Sequence, residues 1–246
     1  MSAKATSEDI PRVLVFDLET TDLAADVGFL LCCGYRWMAE RQVRMLRIDQ
    51  SPRYRRNTTD DGWLVRKVRD VLASADMLVS WYGRNGAFDE PFLRTRCLAH
   101  GVPPIPTNIP HWDGQRLSRA YLRLRNNRLA NAGALVGRNT KTPFAGPIWM
   151  RAIAGHKLAL DYIAEHCRRD VEQLAKVYTK MRPYVPHPNL GLFISGDKRL
   201  CPTCGSAKLL SKGYAGFATR LYQRFVCRVC GAYCRVVKGE KGAKVR

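Results

Sequence analysis

The sequence predicts an α/β fold, a mixed sheet covered by helices on both faces, followed by a small separate module rich in cysteine. Three observations predict it. Short apolar runs rich in β-branched residues alternate with stretches whose apolar residues recur at helical spacing. Their order is three strands, helix, strand, helix, strand and then helices, which suits a sheet sandwiched between helices. Past residue 199 the composition turns to closely spaced Cys, Gly, Lys and Arg. A chain of 246 residues has room for one core of ordinary size, about 100 to 200 residues, and a satellite.

The first run, Arg12 to Glu19, is apolar and β-branched and emerges with two carboxylates, as a buried strand would. Val27 to Trp37 and Gln42 to Ile48 are two further strand-like runs, and the short connections suggest an antiparallel meander. From Asp60 to Ala75 the spacing of Trp63, Leu64, Val68, Val71 and Leu72 predicts a helix, with Asp60 or Asp61 available as a cap. Met77 to Tyr82 reads as a strand, Tyr82 to Ala87 as a Gly-containing loop, and Phe88 to His100 as a helix stopped by Gly101. A fifth strand falls at Ile109 to Asp113. Helices follow over Gln115 to Leu124, Leu129 to Val136, Pro147 to Ala154 and His156 to Met181. The expected layout is a main domain over 1–186, a linker over 187–199, a cysteine module over 200–237 and a disordered basic tail over 238–246.

Forty-one Lys and Arg against twenty-one Asp and Glu leave a formal charge of +20, which points to a polyanionic partner. Nucleic acid fits better than an acidic membrane surface, because the basic residues are scattered and form no single amphipathic helix. No stretch approaches the roughly 20 apolar residues of a bilayer span, and the polar start lacks a signal-peptide core, so a cytoplasmic protein is expected. Of nine cysteines, Cys201, Cys204, Cys227 and Cys230 form two CxxC pairs and read as metal ligands. Cys32, Cys33, Cys97 and Cys167 read as small core residues or free thiols.

Asp17 and Glu19 are two apart on a strand, so both side chains leave the same face. Alone, they read equally as solvated carboxylates at a strand end. Asp89 sits in the first turn of a helix, where a carboxylate is favoured, and His166 and Asp170 share one face of the last helix, as an ordinary i, i+4 pair also would. Together these elements end at one edge of the sheet. Carboxylates gathered there repel one another unless cations bind, and Mg²⁺ or Mn²⁺ suits oxygen ligands.

These residues resemble the motifs of the DEDD superfamily of 3′ to 5′ exonucleases over roughly residues 12 to 185. The first motif is Phe16-Asp17-Leu18-Glu19-Thr20-Thr21, the second Asn85 to Asp89 with Pro91 and Leu93, the third His166-Cys-Arg-Arg-Asp170-Val171. The resemblance implies an RNase H-like fold and a two-metal site that hydrolyses phosphodiester bonds, its ions roughly 4 Å apart. Asp17, Glu19 and Asp170 would hold the ions directly, Asp17 bridging them, with Asp89 acting through the second ion or its waters. Asn85 and Phe88 match positions that shape the site and hold substrate. The third motif departs from both branches of the family. One has Tyr four residues before the last Asp and the other His five before it, whereas here His166 is four before and Glu165 five before. The neighbouring residues look like the tyrosine branch, so His166 is read in the tyrosine position, orienting or deprotonating the attacking water. Tyr162, one turn earlier, is the rival.

The CxxC pairs predict one structural Zn²⁺ held by four thiolates, which supplies folding energy that so short a segment cannot draw from a core. The segment resembles the zinc ribbons of transposases and implies nucleic-acid contact. Lys208, Lys212, Arg220, Arg224 and Arg228 favour phosphates, although a clamp or a protein-docking site is the alternative. The leading expectation is therefore an exonuclease acting on single-stranded 3′ ends of DNA or RNA. A catalytically inactive nucleic-acid-binding protein and an RNase H-type or transposase-type endonuclease are the alternatives.

Overall fold

The computed structural model describes residues 11–83, 88–137, 147–194, 199–217 and 220–237. The chain divides into two compact units, residues 12–179 and the segment from Lys180 onward. The basic tail expected over 238–246 lies outside the described residues.

The first unit is built on a five-stranded mixed sheet. Strands β1 (Val13–Thr20), β2 (Leu30–Trp37) and β3 (Arg44–Arg47) form the antiparallel meander, and β4 (Met77–Ser80) and β5 (His111–Asp113) join it in parallel, giving the order β3-β2-β1-β4-β5. Because β1 is central, its first four residues and Leu18 are buried, and the core takes in Leu14, Phe16, Leu30, Leu64, Leu72, Leu78 and Ile163. The helices are α1 (Gly62–Ala73), α2 (Asp89–Ala99), α3 (Gly114–Tyr121), α4 (Leu129–Leu135), α5 (Pro147–Ile153) and α6 (Lys157–Met181). In α6 every third or fourth residue, Ile163, Cys167, Val171 and Leu174, is fully buried, which is the stripe a surface helix presents to a sheet.

Several elements are shorter than their apolar runs, each for a local reason. The second strand starts at Leu30, not Val27, because Phe29 is tied back to the Thr21 backbone and hydroxyl. The fourth ends at Ser80, since Tyr82 takes φ 82°, a left-handed conformation that no strand continues. Asp61 stands at the N-cap of α1 but does not cap it. Its buried carboxylate accepts instead from the Leu30 amide at 2.8 Å and from Arg96 at 2.7 and 3.0 Å, and it lies 2.6 Å from His100 Nε2. A side chain that answers three residues, Leu30 on β2, Arg96 on α2 and His100 at the end of α2, joins the sheet to both helices.

In the second unit, the segment expected to be a linker contains a 3-10 turn at Leu190–Phe193, and the Leu190 amide donates to the Pro202 carbonyl at 2.7 Å. An antiparallel sheet follows, of β6 (Leu209–Phe217), β7 (Arg220–Cys227) and β8 (Tyr233–Val237).

Candidate active site and cysteine cluster

The last half of β1 carries Asp17 and Glu19 out of the sheet on one face, as the strand period requires. Helix α6 is fastened over that end. Cys167, fully buried, accepts from the Gly34 amide at 3.2 Å and donates to the Asp17 carbonyl at 3.5 Å, and Gly34 is the residue paired with Asp17 across β1 and β2. This lock sets the residues on either side of Cys167. His166 Nε2 lies 3.6 Å from Asp170 Oδ2 and 3.9 Å from Glu19 Oε1, with the Trp149 ring edge-on to the imidazole at 6.3 Å. One carboxylate oxygen each of Asp17 and Glu19, with Cys167 Sγ, fall within 4.8 Å of one another.

Asp89 arrives from the other side, as the first residue of α2, and is buried. Gly83 makes this approach possible: a Cβ there would stand 2.0 Å from Ser80 Oγ and 2.7 Å from Asp89 Oδ2. Phe88 is half-buried with its ring 5.4 Å from that of Phe92. Asn85 lies outside the described residues.

The electrostatics follow from the crowding. Burial, and then the charge of Asp170, hold the Asp17 carboxyl well above the usual range. Glu19 is raised by burial and by Asp17, Cys32, Asp170 and Asp89, while Asp89 is raised by burial, Asp17 and Asp113. Asp170 is raised by burial, with His166 opposing. Burial is thus the first cause for every one of these carboxylates, and like charge adds to it at Asp17, Glu19 and Asp89. An oxygen-rich set of carboxylates gathered in this way is the donor chemistry of a hard divalent cation.

Sequence reasoning missed three features here. Asp113, buried at the end of β5, adds a further carboxylate beside Asp89 while accepting from the Arg116 and Tyr82 amides. Its signal is that of an ordinary helix N-cap before α3. A buried chain runs from Ser80 Oγ to His111 Nε2 at 2.8 Å and from His111 Nδ1 to Glu90 at 3.1 Å, and Arg94 closes it on Glu90. The hydrogen bond from His111, followed by that from Arg94, lowers the Glu90 carboxyl to about 2. Cys167, expected as a core residue, is also the fastener of α6.

In the second unit Cys201, Cys204, Cys227 and Cys230 gather into one cluster. Cys201 Sγ lies 3.7 Å from Cys230 Sγ, and Cys204 Sγ 3.6 Å from Cys227 Sγ. Four sulfurs about 2.3 Å from a tetrahedral zinc would stand about 3.8 Å apart, so the cluster is compatible with a zinc ribbon, whereas a disulfide needs about 2.05 Å. Each knuckle turns at a glycine with positive φ, Gly205 at 74° and Gly231 at 79°. Hydrogen bonding from the Cys204 thiol pulls Cys201 down to about 5. Lys208, Lys212, Arg220, Arg224 and Arg228 are all exposed.

A family model described as the RNase H superfamily matches residues 14–182. No curated protein matches. Among solved structures, the chain is similar to E. coli exonuclease I in complex with a dT13 oligonucleotide, with 12% identity over 70% of this chain and 44% of that one and a TM-score of 0.41. Similarity to the zinc-bound form of the E. coli exonuclease I complex with single-stranded DNA is 11% over 92% of this chain and 54% of that one, TM-score 0.41. A further exonuclease I structure gives 12% over 92% and 55%, TM-score 0.41. The chain spans about half the length of these structures. No helix among the described residues is long and apolar enough to cross a membrane.

Proposed function

The chain belongs to the RNase H superfamily, and from that premise we propose that it is a metal-dependent nuclease that hydrolyses phosphodiester bonds from the 3′ ends of nucleic acid. One observation carries the reading: Asp17 and Glu19 on β1, Asp89 at the start of α2 and Asp170 on α6 are all held above the usual carboxylate range, by burial first, with Asp17 also raised by Asp170, Glu19 by Asp17, Asp170 and Asp89, and Asp89 by Asp17. Asp17, Glu19 and Asp170 would hold Mg²⁺ or Mn²⁺ directly, with Asp89 helping to hold a second ion. Bound there, the ions supply a nucleophilic water and stabilise charge on the scissile phosphate and the leaving 3′-oxygen.

The protein's own residues do the rest. His166, whose Nε2 lies within 4 Å of Glu19 and Asp170, would take a proton from a water approaching those carboxylates or orient it. Trp149 limits where the imidazole can lie. The Cys167 lock keeps α6 in register with β1, so that His166 stays beside Glu19 and Asp170. The chain from Ser80 through His111 to Glu90 stiffens the start of α2 behind Asp89.

The second unit would be a zinc ribbon over residues 200–237, joined to a nuclease domain over 1–186, with its exposed lysines and arginines contacting phosphates. Zinc bound by the four cysteines supplies rigidity that the small cluster of Cys201, Cys227 and Ala232 does not.

End-labelled single strands of DNA and RNA, free or blocked at the 3′ end, test the proposal. Stepwise loss from free 3′ ends and protection by the block are expected. Internal cuts in blocked strands would turn the reading to an endonuclease, and tight binding without cleavage to an inactive binding protein.

A further inference from the structure

A cavity of about 370 Å³ lies at the start of α1, lined by Arg53, Asp60, Trp63, Arg66 and His100 among others. It is separate from the carboxylate site but shares an end of the sheet with it. Leu30, paired with Thr20 at the end of β1, donates its amide to Asp61, and Asp61 in turn holds His100 at the C-terminal end of α2. Asp89 begins α2, so the length of that helix, 11 residues or about 16 Å, separates the two places.

The chemistry of the lining is selective. Arg53 and Arg66 are exposed, and neither forms an ion pair among the described residues. Two unspent guanidiniums facing one cavity suit a phosphate, which accepts from them in a planar, forked geometry. Trp63 is half-buried against the core and presents an indole to the cavity, a surface on which a flat ring can stack. Asp60, whose carboxylate already accepts from the Gly62 amide at 3.0 Å, adds an acceptor that a phosphate alone would not use but that a sugar hydroxyl or a base N–H can. His100 is anchored through Nε2 to Asp61 at 2.6 Å, so its ring is a fixed wall. The volume falls at the small end of the roughly 300 to 1,000 Å³ typical of ligand pockets, room for one nucleotide and little more.

We propose that this cavity binds a single nucleotide unit, its phosphate between Arg53 and Arg66 and its base on Trp63. The unit comes either as a free mononucleotide or as one residue of a strand whose 3′ end lies at the carboxylates. The site takes part in binding and not in cleavage; the strand source rests on the proposed 3′-end reading of the carboxylates, whereas mononucleotide binding at the cavity stands or falls apart from it.

The test uses the full chain carrying Asp17→Asn, so that no strand is cut. Tryptophan fluorescence is followed against deoxyadenosine 5′-monophosphate, inorganic phosphate, a dinucleotide and a long oligothymidylate. The mononucleotide is expected to quench saturably, to bind more tightly than phosphate, and to lose its quench in Trp63→Phe. Arg53→Ala and Arg66→Ala should each weaken it about tenfold, the effect of one charge-assisted contact. Arg41→Ala, an exposed arginine between β2 and β3 at the opposite end of the sheet, controls for general loss of positive charge. If the unit belongs to a strand, the arginine variants also weaken the oligothymidylate, and the dinucleotide, which can enter the cavity directly, follows the mononucleotide. If it is free, the oligothymidylate is unaffected. Mononucleotide binding that is no tighter than phosphate, or that is equal in the Arg66→Ala and Arg41→Ala variants at unchanged thermal midpoint, would overturn the proposal.

Discussion

The carboxylate site and the cysteine cluster are both candidate metal centres, and they are built in opposite ways. The cysteines come from two short knuckles on neighbouring stretches of one small sheet, with almost no apolar core around them. The carboxylates come from β1, α2 and α6, and the fully buried residues around Phe16, Leu30 and Ile163 hold that frame without help. On the proposed reading, metal at the cysteines would therefore be a condition of folding, as in other small zinc modules. At the carboxylates it would be a condition of chemistry, and its removal would leave the fold in place.

The comparison is broken most severely by substitutions at the carboxylates. Asp170→Asn should lower turnover by about three orders of magnitude or more, since it removes a group on which the metal chemistry depends. The same variant should melt no lower than wild type without divalent ions, because a charge that acts against Asp17 and Glu19 is gone; calorimetry with and without Mg²⁺ checks both halves. Cys204→Ser should do the reverse. The bound zinc, about one per chain by atomic absorption, should be lost, and β6 to β8 should become open to proteolysis while the unit over residues 12–179 keeps its own transition. His166→Phe should cost about 10²-fold in kcat at neutral pH, with strand binding in Ca²⁺ nearly unchanged.

Smaller effects sharpen the contrast further. Replacing Lys212, Arg220 and Arg224 with Gln should reduce the salt slope of single-strand binding by about two, at about 0.7 per phosphate contact, and leave saturated turnover alone. The smallest expected effect concerns His187. Burial, with Arg182 adding to it, lowers its imidazole to about 4. A lowered pKa means the neutral form is the one that fits. Its contribution is present in full above the ordinary value of about 6.5 and is lost as pH falls through about 4. Acid melts of His187→Gln should be flatter across that window.

The sequence makes some parts of this molecule easier to read than others. Period two in β1 puts Asp17 beside Glu19, helical spacing puts His166 beside Asp170, and two CxxC pairs announce the cysteine cluster, because each signal is local. Asp61 looked like a helix cap, and its true role, holding Leu30, Arg96 and His100, joins segments far apart in sequence with no spacing rule to reveal it. The same holds for the Ser80, His111 and Glu90 chain. Tyr82 closed an apolar run that looked like a strand, and only its backbone shows that the chain turns there. Asp113 hid behind its capping role, and Cys167 behind its apolar neighbours.

The central claim, that the carboxylates of β1, α2 and α6 form a divalent-metal site, is tested most directly by Mn²⁺ uptake. Electron paramagnetic resonance of free Mn²⁺ would be followed as wild-type and Asp17→Asn protein are added, each with zinc already in the cysteine cluster. Wild type should remove one or two Mn²⁺ per chain, with uptake tracking the onset of strand cleavage, and Asp17→Asn should remove far less. Equal uptake by both proteins, or cleavage by wild type without any uptake, would contradict the account.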